Sequence, residues 1–224
     1  MPSSSSLSIL VFTKTAGYRH ESISAGIEAL KKFAAASDLI TCDTTEDASV
    51  INLSSLSQYR VLVFLHTSGD FLDKAQLDAL KGFIRNGGGF VGIHGAAAGM
   101  PQDEWYGRLV GAAFTEHPKP QDGVVKIEDT AHALTKGLSN QWKWHDEWYN
   151  FRSNPRDNVH VLMSIDESSY EGGTMGNDHP LAWCQEFEGA RSFYTSLGHF
   201  DEAWRDERFH EHIKRGIYWA ACLL

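Results

Sequence analysis

The sequence predicts an α/β fold, a doubly wound and mostly parallel sheet that carries an antiparallel extension. Three observations predict it. The first hundred residues alternate short apolar runs with segments of helical periodicity, the rhythm of βαβ units. The apolar runs are continuous, as strands buried on both faces require. After residue 100 the rhythm gives way to strand-like stretches, two of them separated by a tight turn.

Residues 1–6 read as a disordered lead and 7–224 as one domain. Residues 7–13 (LSILVFT) form the first buried strand, and a loop leads from it to a helix over 20–36 with Ile23, Ile27, Leu30 and Phe33 on one face. Residues 39–43 are a second strand. Residues 60–65 (RVLVFL) are a third, ending at His66. Asp73 caps a helix that runs to Asn86 with Leu77, Leu80 and Ile84 inward, and glycines 87–89 close it. A fourth strand, 90–93, stops at His94-Gly95. A short helix over 105–110 precedes strands at 123–128, 159–165, 180–187 and 191–197. The last two form a hairpin across Glu188-Gly189-Ala190. A closing helix over 206–223 buries Phe209, Ile213, Ile217 and Ala220.

Composition narrows the function classes. A net charge of −9 without a basic cluster argues against nucleic acid. No apolar run approaches the roughly 18 residues of a membrane span. Cys42, Cys184 and Cys222 are an odd number without metal-type spacing, which suits a reducing compartment. With no signal-like N-terminus, the expected location is the cytoplasm. Eleven histidines and seven tryptophans, concentrated in a few loops, suit proton transfer or metal ligation beside a polar, ring-shaped substrate.

The carboxyl ends of parallel strands share one edge of the sheet, where ligands bind. His66, His94 and His199 all fall at predicted strand ends and should converge there. Residues 142–149 (WKWHDEWY) pack four aromatics, a histidine and two carboxylates together. Read as a strand, they put Trp142, Trp144, Asp146 and Trp148 on one face, with His145, Glu147 and Tyr149 on the other. That stretch is either an edge strand with aromatic packing or a pocket wall in which Glu147 is a base or metal ligand. His94, His117, Glu147 and His199 supply zinc-type ligand atoms, although no local pair fixes two of them on one element. His210 and His212 read as surface residues. No Gly-x-Ser-x-Gly elbow, phosphate loop or dinucleotide fingerprint is present.

Several short motifs, in order, carry a resemblance: Thr13-Lys14-x-x-Gly17-Tyr18-Arg19-His20, Gly92-Ile93-His94-Gly95, Glu116-His117, Asp146-Glu147-x-Tyr149, His179-Pro180-Leu181-Ala182-Trp183 and Leu197-Gly198-His199. Together they resemble the ThuA-like, or trehalose-utilisation, family over residues 7–223. The resemblance implies a flavodoxin-like sheet of the class I glutamine amidotransferase type. It also implies that His94 stands where amidotransferases carry their cysteine, with His199-Phe200-Asp201 in place of their His-Pro-Glu. Without a thiol there, thioester-forming glutamine hydrolysis is not available.

The implied substrate class is a sugar or 3-keto-glycoside, whose acidified C2 hydrogen invites acid–base or metal-assisted elimination, hydrolysis or isomerisation. The expected catalytic residues are His94, Glu147 and His199. Tyr18, His20, His66, His117, His145, Trp148 and Tyr149 are expected to bind substrate. His94, His117 and His199 are the expected ligands of a divalent metal such as zinc. The partner is then a small-molecule carbohydrate, and homo-oligomer formation stays open. The competing readings are a non-catalytic carbohydrate-binding or sensing module and a subunit docking on an oxidoreductase.

Overall fold

The computed structural model describes residues 6–224, so the expected N-terminal lead lies, but for Ser6, outside the described residues. Elements follow in the order β1 (Leu7–Phe12), α1 (Ile23–Ala35), β2 (Ile40–Thr45), α2 (Leu53–Leu56), β3 (Val61–Leu65), α3 (Lys74–Arg85), β4 (Gly89–Ile93) and α4 (Glu104–Val110). Then come β5 (Phe114–Glu116), β6 (Gln121–Ile127), β7 (Gln141–Asp146), β8 (Asn150–Phe151), β9 (His160–Ile165), β10 (Pro180–Phe187), β11 (Ala190–Thr195) and α5 (Glu207–Ala220). Nine strands form one sheet in the order β2-β1-β3-β4-β11-β10-β9-β6-β7, while β5 and β8 pair separately.

The first five strands in that order are mutually parallel. Their succession, 2-1-3-4-5 by position along the parallel set, is the flavodoxin-like winding. From β10 onward each pairing is antiparallel, the extension that the second half of the sequence predicts. The β10–β11 turn has Glu188 at φ 47° and Gly189 at φ 90°, the two left-handed residues a tight hairpin needs.

Alternation along the strands feeds two cores. Ile9, Val11, Val63, Val91 and Phe193 face α1 and α5 on one side. Leu10, Phe12, Leu62, Phe64 and Phe90 face α3 and α4 on the other. Asp73 and Gln76 close a reciprocal capping box at the start of α3, and Gly87 turns the chain after it at φ 84°.

Three differences from the sequence reading matter. Helix α1 starts at Ile23, not residue 20, which leaves His20 in a loop at the sheet edge. The four-residue α2 and two-residue β8 are too short to leave a periodic signature. His212, expected on the surface, is wholly buried on α5 against Trp142, Phe193 and Phe209. Two positions of spacing turn it away from exposed His210, into the core-facing stripe with Phe209 and Ile213.

Candidate metal centre

Both β3 and β4 end in a histidine with left-handed backbone, His66 at φ 55° and His94 at φ 46°. Each conformation costs roughly 1–2 kcal/mol for a residue with a Cβ, and such strain collects at functional sites. Gly95 lets the two strand ends close up. A Cβ there would stand 3.1 Å from the His66 backbone and 3.2 Å from His20 Cε1.

Three atoms then meet in a triangle. His94 Nε2 lies 3.3 Å from Glu147 Oε2 and 3.2 Å from His199 Nδ1, and His199 Nδ1 is 3.2 Å from the same Oε2. His94 Nδ1 is 2.5 Å from the carbonyl of Ser196, to which it must donate, so in the neutral ring Nε2 presents a lone pair. The carboxylate can also only accept. A proton on one of the two imidazole nitrogens or a cation must therefore lie among the three. Donors around a tetrahedral ion with bonds of about 2.0–2.1 Å stand about 3.3–3.4 Å apart, close to the edges of this triangle. His20 completes the group, one ligand atom from each of the four residues falling within 4.8 Å of the others. Both His20 nitrogens are buried without a hydrogen-bond partner. A buried imidazole with neither nitrogen satisfied is costly unless a ligand takes it up. The residues present fit a divalent metal.

Electrostatics favour the same states. Burial, reinforced by the neighbouring His94 and His199, pushes His20 down to about 2, so its ring is neutral. Burial alone would raise Glu147, but hydrogen bonds from His199 and His94 outweigh it and hold the carboxyl well below the usual range. A neutral His20 and an ionised Glu147 are in the forms that bind metals.

The sequence reading missed the residue that holds this arrangement. Asp146, fully buried, accepts four N–H groups. Oδ1 takes those of Glu147 (2.9 Å) and His199 (3.1 Å), and Oδ2 those of Gly198 (2.9 Å) and Trp144 Nε1 (2.8 Å). One carboxylate thereby ties the end of β7 to the loop after β11 and orients two members of the cluster. Ser22 adds a second tie by donating to the carbonyl of His199 at 2.7 Å. His66 Nε2 in turn meets Ser22 Oγ at 3.2 Å, and the His66 ring stacks on His20 with centroids 4.5 Å apart. His66 thus lies behind the cluster, wholly buried, with its pKa lowered well below the ordinary value by burial first and His94 second. His179, buried before β10, donates from Nε2 to the carbonyl of Tyr149 at 2.8 Å and meets Glu167 through Nδ1 at 2.9 Å.

The remaining expected site residues divide. Tyr149 lays its ring against His94 at 4.1 Å between centroids, and Tyr18, 65% exposed, sets its edge on His20 at 4.8 Å. His117 is not among the four grouped ligands. Its Nδ1 stands 3.1 Å from Glu147 Oε1, the oxygen turned from the triangle, and 2.9 Å from the carbonyl of Pro118. His145 points away and pairs with Asp122 at 2.7 Å. Trp148 is wholly buried in the core beside Tyr170, where it lines no opening. His145 lies on the exposed face of β7 and Trp148 stays on the side of buried Trp142 and Trp144, whereas Glu147 and Tyr149 turn inward because β7 stops at Asp146. The thiols stand apart from this chemistry, burial pushing Cys184 up to about 12 and Cys42 to about 11.

A family model described as "Trehalose utilisation" matches residues 8–220. The chain belongs to the ThuA family. A solved ThuA-like protein from Bacteroides uniformis is 27% identical and superposes with a TM-score of 0.81, covering 96% of this chain and 91% of that one. Another, from Parabacteroides merdae, is 21% identical with a TM-score of 0.80 over 96% and 90% of the two chains. A GMP synthase component from Thermoplasma acidophilum, 13% identical with a TM-score of 0.58 over 97% and 95%, shares the fold, as the resemblance to amidotransferases implies. No curated protein sequence matches this ThuA-family chain. No helix among the described residues is long and apolar enough to cross a membrane.

Proposed function

We propose that this ThuA-family chain is a cytoplasmic enzyme of carbohydrate metabolism that acts on a sugar or 3-keto-glycoside by metal-assisted acid–base chemistry. The observation that carries the reading is the convergence of three ligand-type atoms at 3.2–3.3 Å beside an unsatisfied, buried His20. His20, His94, Glu147 and His199 would hold the ion, zinc by the chemistry of the donor set. A divalent metal there would supply polarisation of a ketone or acidification of a bound water.

The chain's own residues supply the rest. His117 shares its Nδ1 proton between Glu147 and the Pro118 carbonyl, so its Nε2 is left to take or give a proton on a half-exposed ring. For a 3-keto-glycoside that proton is the acidified one at C2, and its removal prepares loss of the glycosidic oxygen or isomerisation. Tyr18 offers an exposed aromatic ring to the sugar, while Tyr149, buried against His94 and Phe114, steadies the His94 ring. Glu147 has two tasks, one for each oxygen: Oε2 faces the triangle and Oε1 orients His117.

Incubating metal-loaded protein with 3-keto-trehalose and following its consumption tests this reading. Turnover that is abolished by His94→Ala and His199→Ala is the expected result. Tight binding of the keto-sugar without turnover would replace the enzyme by a carbohydrate-binding module. Turnover intact in both variants would move the active site elsewhere.

A further inference from the structure

A cavity of about 550 Å³ lies beside α4, and none of the four cluster residues lines it. Its size suits a small metabolite. Two arginines line it, Arg108 near the end of α4 and Arg152 just after β8. Eight of the chain's ten arginines engage a carboxylate or a backbone carbonyl. The two whose guanidinium groups engage no carboxylate or carbonyl among the described residues are Arg108 and Arg152. In a chain of net charge −9, two guanidinium groups without a hydrogen-bonded anion on residues lining one cavity are not explained by the packing.

Glu188, the carboxylate that feels Arg108, is hydrogen bonded to Arg85 at 2.7 Å, and the acidic side chains of the lining pair with neither arginine. Asp103 is committed to capping α4 through Tyr106 N at 2.7 Å, with Lys81 Nζ 3.9 Å from its other oxygen. Glu104 is exposed on the lining and forms no ion pair with either arginine. Gln185 adds a neutral acceptor. Its amide nitrogen donates to the carbonyls of Arg108 (2.7 Å) and Leu109 (3.1 Å), which leaves Oε1 free for a ligand hydroxyl. Asn158 supplies a further amide on the lining, and Phe187 supplies an apolar wall.

We infer that this cavity is a second ligand site, separate from the metal cluster, for a phosphomonoester of monosaccharide size. Arg108 and Arg152 grip the phosphate in the forked geometry that guanidinium groups favour, and the amides meet the sugar hydroxyls. The inference does not depend on the reaction proposed for the cluster.

Calorimetric titration of the purified full chain with glucose 6-phosphate, glucose and inorganic phosphate tests it. Glucose 6-phosphate should bind, with glucose and inorganic phosphate each at least tenfold weaker. Arg108→Gln and Arg152→Gln should each weaken glucose 6-phosphate about tenfold, the scale of one charge-assisted contact. Glu104→Gln should tighten it by removing a like charge. Absence of binding, binding that survives both arginine substitutions, or phosphate alone binding equally well would overturn the inference. Because the arginine side chains are exposed, the variants fold, and an unchanged thermal midpoint checks that.

Discussion

Replacing Asp146 by asparagine changes one oxygen to an amide and leaves the shape intact. Asp146 accepts four N–H groups at 2.8–3.1 Å, two on each oxygen. An asparagine oxygen can keep two of them, but its NH₂ faces the other two donors and satisfies neither. Hydrogen bonds to a charged group contribute about 1.5–3 kcal/mol each, so losing two costs about 3–6 kcal/mol. That is a large fraction of the roughly 5–15 kcal/mol by which a domain is stable. Two of the four donors are the backbone amides of Glu147 and His199, so the triangle loosens as well. Loss of such outer-shell support costs about 10–100-fold in metal affinity. Urea unfolding of wild type and Asp146→Asn gives the stability difference, and competition with a chromophoric chelator gives the affinity ratio. An Asp146→Asn protein within about 1 kcal/mol of wild type that binds zinc equally well would refute the reasoning.

Two further outcomes follow from the same geometry. His117→Gln should lower kcat on a turned-over keto-sugar by about 10²–10⁴-fold with metal content unchanged, because His117 stands outside the four-ligand group; steady-state kinetics beside metal analysis separates the two effects. His212, driven down to about 3 by burial first and Arg215 second, is neutral in the folded chain, so its contribution to stability is complete above its unfolded value of 6.5 and declines as pH falls toward the folded one. From pH 8 to pH 5 that loss is about 2 kcal/mol, and His212→Leu should remove that part of the pH dependence of the urea midpoint.

The parallel half of the fold was legible because its strands are unbroken apolar runs and its α3 helix carries a cap and a glycine stop. The antiparallel half was legible mainly through the Glu188-Gly189 turn. Histidines at strand exits pointed to one sheet edge, and the structure brings His94 and His199 within 3.2 Å of each other there. What sequence spacing could not give was depth. His66 occupies the same strand-exit position as His94, yet lies behind His20 as support. His20 reaches the cluster because α1 starts three residues later than its periodicity suggests. Asp146 and Glu147 are neighbours whose side chains do different work only because β7 ends between them. A signal for Asp146 existed: it sits on the inward face with Trp142 and Trp144, and a buried carboxylate requires partners.

On the function proposed, the triangle and His20 together hold one metal ion. Elemental analysis of the protein after incubation with zinc and desalting tests it directly. About one zinc per chain is predicted for wild type, falling to near zero in His94→Ala and Glu147→Gln. Zinc absent from folded wild-type protein, or retained equally by both variants, would contradict it.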